Sequence, residues 1–436
     1  MTRQTSIRLL GAAFLSLTPF LLMAQEEKEN QLSIDAQIMA RGELRSGGLP
    51  TDAEDNVVGR AGFVLSRTRL VVDYQRPGIE LKVCAQHSGV WGQSGKGSFN
   101  LYEAWAKLAS RQGLFAQVGR QELSYDDQRI IGSNDWAVAA LSHDVLKLGY
   151  EGHGHKAHAI LAYNQNAENT NGGSFYMNGA YPYKTMHTLW YHYDVPKFPL
   201  GASLLFMNIG MQQEETSDNE TCYQQVLGGF VKFMPKPWTV EASYYHQMGH
   251  NEYDQKIKAW MASAKVKYEP SPTYGFVGGF DYLSGDKYFA VPKPGSMGLT
   301  RHDVISGFNP VYGSHHKFYG AMDFFYVSTY VNGFSPGLQN AFVGGYYSPL
   351  KGLRLDASYH YLATSTKLNG IDMTLGHEIE LSASYQLMDD CKVSVGYSFM
   401  TGTETMERLK RAADERNLRW AWLTLSLSPR IFTTRW

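Results

Sequence analysis

"LSIDAQIMARGELR", Leu32 to Arg45, decides how the rest of the chain is read. Leu32, Ile34, Ala36, Ile38 and Ala40 fall on one face of an extended strand. Ser33, Asp35, Gln37, Arg41, Glu43 and Arg45 fall on the other. Strand side chains alternate sides, so a period of two separates an apolar face from a charged one, whereas a helix would mix the two sets. The alternation returns in "IELKVCAQ" (Ile79–Gln86), "YEAWAKL" (Tyr102–Leu108), "LRLDASYHY" (Leu353–Tyr361) and "IELSASY" (Ile379–Tyr385). In "YEAWAKL", Tyr102, Ala104, Ala106 and Leu108 are read as the outward face, opposite Glu103, Trp105 and Lys107. Several apolar faces end in Tyr, which favours the boundary between lipid and water. Alternating segments of about ten residues, separated by turns, are the sequence mark of a transmembrane β-barrel.

The ends and the composition agree. "MTRQTSIRLLGAAFLSLTPFLLMAQ" has Arg3 and Arg8 before a short apolar run, Leu9 to Met23. Residues 1–24 read as a secretory signal peptide. The run is too short to serve well as a membrane-anchoring helix. Residues 25–436 then form one unit. No later apolar stretch reaches about 18 residues, which excludes a helical membrane protein. A net charge of −1 gives no global pull toward nucleic acid. Cys84, Cys222 and Cys391 are too few and scattered for a disulfide framework. The heavy aromatic load, 28 Tyr, 21 Phe and 9 Trp, suits a barrel with aromatic girdles.

Connections alternate as well. "QRPG" at Gln75, "SRQG" at Ser110 and "SPLKG" at Ser348 are short and turn-like, whereas 46–60, 123–143, 165–184 and 286–337 are long. About 19 segments look like strands, but both ends of the chain belong on the periplasmic side, so the number must be even. "SPLKG" is a short turn, so the strand before it descends, while the one ending in "DYLSGD" (Asp281–Asp286) ascends. Everything between, including "KFYGAMDFFYV" (Lys317–Val327), must then be one long loop. "TMERLKRAADERN" (Thr405–Asn417) reads as a helix outside the membrane. The last strand puts Ala421, Leu423, Leu425 and Leu427 outward, and the chain ends in Trp436. That aromatic end resembles the signal read by the barrel-insertion machinery, though Pro429 departs from a simple terminal strand. The expected fold is all-β: a transmembrane antiparallel up-and-down β-barrel of about 18 strands, with short periplasmic turns and long extracellular loops. Its place is the lipid of a Gram-negative outer membrane, with loops 123–143 and 286–337 folded into the lumen.

Six stretches carry a resemblance: "LSRTRLVVDY" (Leu65–Tyr74), "LYEAWAKL" (Leu101–Leu108), "GRQELSYDDQRIIGSNDW" (Gly119–Trp136), "DYLSGD", "GSHHKFYGAMD" (Gly313–Asp323) and "SPLKGLRLDASYHYL" (Ser348–Leu362). In these the chain resembles the alginate-export outer-membrane porin family. The resemblance implies a monomeric 18-stranded barrel that passes an acidic polyuronate outward through an arginine-lined constriction. Periplasmic export partners are candidates that the sequence does not identify, and no cofactor is implied.

The residues themselves point to charge-selective passage. Arg41, Arg67, Arg69, Lys82 and Lys107 fall on the lumen face, with Glu43, Asp73, Glu80 and Glu103 among them. A ladder of cations in a low-dielectric channel draws anions, and arginine pairs with carboxylates in bidentate fashion. The bland alternative is that such pairs brace the wall and pin loops. Arg67 and Arg69, two positions apart with no adjacent acid, fit bracing least. Arg120 joins the pore-lining candidates, although Leu114, Ala116 and Val118 set a phase that carries it outward unless a bulge reverses it. The loop Leu123–His143 is too charged to lie on lipid, and a wide lumen must be narrowed to select anything. Arg129 is expected to face the path, with Asp126 and Asp127 bonded to wall cations or backbone amides. Glu103, Glu122, His316 and Lys317 complete the expected loop anchors.

No enzyme is expected. The charged loop has no His or Ser paired with it, and a lipase-type barrel would need a Ser–His pair facing lipid, whereas His192 and His360 fall on the lumen face. His153, His155 and His158 are metal-ligand types on a predicted short turn, with no nearby acid or Cys to complete a site. The rival readings are a general diffusion or nutrient-uptake porin of the same fold, and an adhesin with a plugged lumen.

Overall fold

The computed structural model describes residues 29–47, 60–93, 97–168, 183–213, 220–286, 304–325, 335–367, 370–410 and 416–436, with 170, 171, 173, 175 and 176 as isolated positions. The signal peptide at 1–24 lies outside the described residues, as do parts of both the 286–337 and 405–417 stretches.

The strands run β1 (Gln31–Ser46), β2 (Ala61–Arg76), β3 (Ile79–Val90), β4 (Ser98–Ala109), β5 (Leu114–Gln121), β6 (His143–Gly152), β7 (His155–Tyr163), β8 (Thr185–Asp194), β9 (Leu200–Gln212), β10 (Thr221–Phe233), β11 (Trp238–His250), β12 (Lys256–Ser271) and β13 (Tyr274–Leu283). After the short β14 (Val304–Ile305) come β15 (Leu338–Leu350), β16 (Leu353–Ala363), β17 (Thr374–Met388), β18 (Cys391–Gly402), β19 (Asn417–Leu427) and β20 (Arg430–Arg435). Each wall strand pairs antiparallel with its neighbour in sequence, β13 pairs with β15, and β19 returns to β1 from Ile38–Leu427 to Ser46–Arg419. The chain breaks at Pro429, as its missing N–H requires, and β20 resumes the same wall strand against Gln31–Asp35. The result is an 18-strand closed barrel. Closure is obligatory in lipid, where an unpaired strand edge has no water to satisfy it. A helix at Glu404–Lys410 sits in the loop where one is expected.

The outward faces carry exposed Leu44, Leu70, Leu189, Leu204, Val343 and Leu423. Near the periplasmic turns Trp238, Tyr268 and Tyr274 form part of the aromatic boundary. One reading is corrected here. Between Cys84 and Ala85 the β3–β4 register slips, so Cys84 opposes Glu103 but Ala85 opposes Leu101. This bulge turns Tyr102 into the lumen, where it is buried, and leaves Phe99 and Leu101 to face lipid.

The inner wall has its own rule. Phe115 opposes Gly149, Tyr245 opposes Gly228, Tyr346 opposes Gly275, Phe342 opposes Gly279, and Trp422 opposes Gly396. In every pair a Cβ on the glycine would collide with the partner's ring. The rings therefore lie across the glycine backbone instead of standing into the lumen.

The apolar core is inside the barrel. Leu123, Tyr125, Ile130 and Ile131 of one loop and Phe308, Tyr312, Tyr319, Met322 and Phe325 of the other pack on inward Met186, Leu205, Met207, Ile209 and Met261. In β9, Leu204 faces lipid while adjacent Leu205 is 1% exposed against this core.

Gly279→Val places a branched side chain where the Phe342 ring lies 2.5 Å from the added Cβ. Overpacking of this kind costs about 1–3 kcal/mol. Urea unfolding in detergent, read by the heat-modifiable gel shift, is expected to show a lower midpoint, and adding Phe342→Ala is expected to recover part of it.

Candidate functional site

The loop between β5 and β6 descends into the lumen and turns at Tyr125–Gln128. Asp126 and Gln128 both take positive φ (54° and 70°), a conformation that Asp tolerates better than most residues. The Asp126 carboxylate accepts from Trp190 Nε1 (3.1 Å), Ser203 Oγ (2.5 Å) and Tyr245 OH (3.4 Å). That ties the tip to β8, β9 and β11 through neutral side-chain donors, not the wall cations or backbone amides expected, whereas Asp127 does accept from a backbone amide, Arg129 N. Burial raises the Asp126 pKa, against the Ser203 and Trp190 hydrogen bonds.

Arg129 is the centre of the arrangement. Its guanidinium meets Asp127 at 3.0 Å and Asp281 of β13 at 2.9 Å. It donates to Tyr319 OH and Ser263 Oγ, both at 2.9 Å, and lies 4.0 Å from the Phe318 ring centre. Burial alone would weaken its charge, but Asp281, Tyr319 and Asp127 outweigh burial and hold the proton more firmly than water does. The expectation that Arg129 faces the path is thereby corrected: its side chain is 2% exposed.

The second loop zips onto the first. Ile131 and Tyr312 form a parallel bridge. Tyr312 N donates to Ile130 O (3.0 Å), Gly132 N to Tyr312 O (2.9 Å) and Ser314 N to Gln128 O (2.8 Å). Gly132 is needed for this approach, since any Cβ there would strike Ser314 and Gln128.

Three arginines grip the far end of the first loop. Arg41 donates to Trp136 O (2.9 Å), pairs with Glu43 (2.8 Å) and lies 4.1 Å over the Trp136 ring. Arg67 donates to Asp135 O (3.0 Å) and pairs with the Asp135 carboxylate (3.1 Å). Arg69 pairs with the same carboxylate (3.0 Å), donates to Gln86 (2.7 Å) and lies 3.9 Å over Tyr102. Arg67 and Arg69 thus have an acid after all, brought from 68 and 66 residues away.

The remaining candidates divide. Lys82 pairs with Glu103 (2.6 Å) and Lys107 with Glu80 (3.3 Å), both on the lumen wall. Glu122 accepts from Tyr102 OH (3.0 Å). His316 bonds Asp323 of its own loop (2.8 Å) and stacks on Trp136 of the other (4.0 Å). Arg120 is corrected: it opposes Ala104 and Asp144 in the outward phase and pairs with Asp144 at 2.8 Å. Lys317 is corrected too, because it is exposed and makes none of the ion pairs found among the described residues. Although exposed, it lies close enough to protein to lose some hydration, which lowers its pKa, opposed by Asp127 and Glu241 and reinforced by Lys265 and Lys267. His158 turns inward to Glu151 (3.0 Å) and Tyr125 (2.9 Å), while His155 turns outward to Tyr191 (2.7 Å). No metal-binding group of three appears among the described residues.

Sequence reasoning missed Lys232, Lys265 and Lys267. Lys265 and Lys232 flank Glu241 at 2.5 and 3.4 Å, and Lys317 of the inner loop feels the charges of Asp127, Lys265, Glu241 and Lys267. The signal was present: Lys265 and Lys267 stand two apart in phase with lumen-facing Ser263, the same spacing as Arg67 and Arg69.

Arg129→Met leaves Asp127 and Asp281 without their shared cation, a loss of about 3–5 kcal/mol for a buried pair. Limited proteolysis is expected to cut both inner loops faster. Arg67→Ala with Arg69→Ala is expected to raise single-channel conductance and its noise, because the wall loses its grip on Asp135.

The profile of the family described as alginate export matches residues 89–418, well over half the chain. No curated protein matches in sequence. Among solved structures the chain is similar to OccK5 (OpdH) of Pseudomonas aeruginosa, at 13% identity and TM-score 0.61, covering 93% of this chain and 99% of that one. It is similar to a BenF-like porin of Pseudomonas fluorescens Pf-5, at 11% identity and TM-score 0.60, covering 92% and 99%. It is also similar to OccK2 (OpdF) of Pseudomonas aeruginosa in complex with glucuronate, at 13% identity and TM-score 0.60, covering 92% and 98%. Identities this low speak for the fold alone, and the family profile carries the kinship: the chain belongs to the alginate-export family and is a channel protein of the Gram-negative outer membrane.

Proposed function

We propose that the barrel passes small anions and acidic oligo- or polysaccharides through its lumen, with lysines doing the selecting. One observation carries this reading. Lys232 and Lys265 pair with Glu241 from the two neighbouring strands, Lys267 adds its charge there, and Lys317 of the inner loop feels Lys265, Lys267 and the acids Asp127 and Glu241. Lys82 and Lys107 add charge on the wall of β3 and β4. Charges at the mouth of a low-dielectric channel focus the field and enrich ions of opposite sign. A uronate chain presents carboxylates that successive lysines can hold weakly in turn. The fold offers a wall and loops, and no catalytic machinery enters the proposal.

A second reading has its own support. Arg41, Arg67, Arg69 and Arg129 are all committed to the loops. A channel with its arginines so engaged also suits general diffusion without polyuronate preference.

Reversal potentials in planar bilayers under a salt gradient decide between them. Anion preference and block by added polyuronate are expected. Each of Lys265→Gln and Lys317→Gln is expected to lower the anion-to-cation ratio about fivefold, roughly 1 kcal/mol per charge. Non-selective conductance indifferent to polyuronate would leave the diffusion porin. Because Lys317 releases its proton below the usual lysine range of about 10.4, anion preference is expected to begin falling at lower pH than that. Lys317→Gln is expected to abolish this early decline.

A further inference from the structure

Against the turn that carries His316 and Ala321, the wall from β12 round to β19 opens into a cavity of about 420 Å³. That lies within the range of about 300–1,000 Å³ usual for small-molecule sites. Its floor is a shelf of small side chains. Ser358, Glu380 and Ser398 stand side by side across β16, β17 and β18, and Asp356, Ser382 and Gly396 form the next row. Trp422 of β19 bounds one end. Its indole rests on Gly396, meets Trp136 at 5.1 Å, and lines the cavity with what remains uncovered. Arg354 bounds the opposite end, bidentate to Asp356 at 2.8–3.0 Å and 3.9 Å over the Tyr346 ring.

The charges here differ from those of the lysine cluster. Two cations, Lys267 and Arg354, face three carboxylates, Glu269, Asp356 and Glu380. An anion gains nothing from such a lining. A flat apolar platform, the Ser382 hydroxyl beside a Ser358 hydroxyl that donates to Glu380 at 2.7 Å, and a paired Arg–Asp offering donors and acceptors together match a ring with one apolar face and a hydroxylated rim. We propose that this cavity is a binding station for the pyranose ring of a sugar, gripped by Trp422 and the serine shelf irrespective of whether the sugar is charged. It rests on the reading that the channel admits saccharides, and it adds a recognition element that does not use charge.

The test uses the purified full-length barrel in planar bilayers, with cellobiose as a neutral probe and glucuronate as its charged comparator. Cellobiose is expected to block wild-type current, and Trp422→Ala to weaken that block roughly tenfold, the size of one aromatic contact. Because Trp422 also meets Trp136 at 5.1 Å, Ser382→Val serves as the second variant: it fills the shelf without touching the inner loops, and it too is expected to weaken the block. Lys265→Gln is expected to leave the cellobiose block intact. No cellobiose block in the wild type, or a block unchanged in both Trp422→Ala and Ser382→Val, overturns the station. If glucuronate still blocks in a Lys265-dependent manner, the anion reading survives that failure. Cellobiose block that depends on Trp422, in a channel without anion preference, sinks the anion reading and upholds the station.

Discussion

The architecture inside the barrel depends on one buried cation. Arg129 sits between Asp127 of its own loop and Asp281 of the wall, with Tyr319 of the second loop as a further partner. Two buried carboxylates without it would repel each other in a medium that screens little. The guanidinium's planar fork can serve several acceptors at once, which a lysine ammonium does less well. One residue thereby joins the first loop, the second loop and the wall. The parallel bridge at Ile131 and Tyr312 and the Asp126 tether both lie within a few residues of it.

Around that point arginine and lysine divide the labour. Arginines are turned into the protein, over Trp136, Tyr102 and Phe318, where stacking and multiple hydrogen bonds suit them. Lys317 and Lys232 keep their ammonium groups nearer to water, the first exposed and the second half-covered, whereas Lys184 and Lys410 are buried. The lumen is therefore a braced structure, in which Lys82, Lys107, Lys232 and Lys265 are themselves paired with wall carboxylates. The glycine–aromatic pairs fit the same economy of space: rings that lie flat on the wall leave room for loops and solutes.

Much of the wall was legible in the residues. Leu32 to Ala40 face out as read, and the descending strand before "SPLKG" forced the long loop that the structure contains. The failures have particular causes. Tyr102 turned inward because a bulge depends on the pairing of two strands, not on the periodicity of one. Asp135 could not be assigned to Arg67 and Arg69 because it reaches them through a loop folded back across the lumen. Arg120 followed its phase outward, and the pairing with Asp144 explains how its charge is met there. One clue went unread: "SLLFMNI" in β9 loses its alternation, and that loss marks the wall on which the inner loops pack.

By itself, the sequence determined the barrel. Lipid on one side and water on the other impose a period of two on every wall strand, and turns and loops alternate because the strands do. Only the tertiary structure decided which cations hold the loops and which stay on the wall. That division rests on contacts between residues far apart in the chain, Arg129 with Asp281 and Arg67 with Asp135, and no local pattern encodes the distance between them.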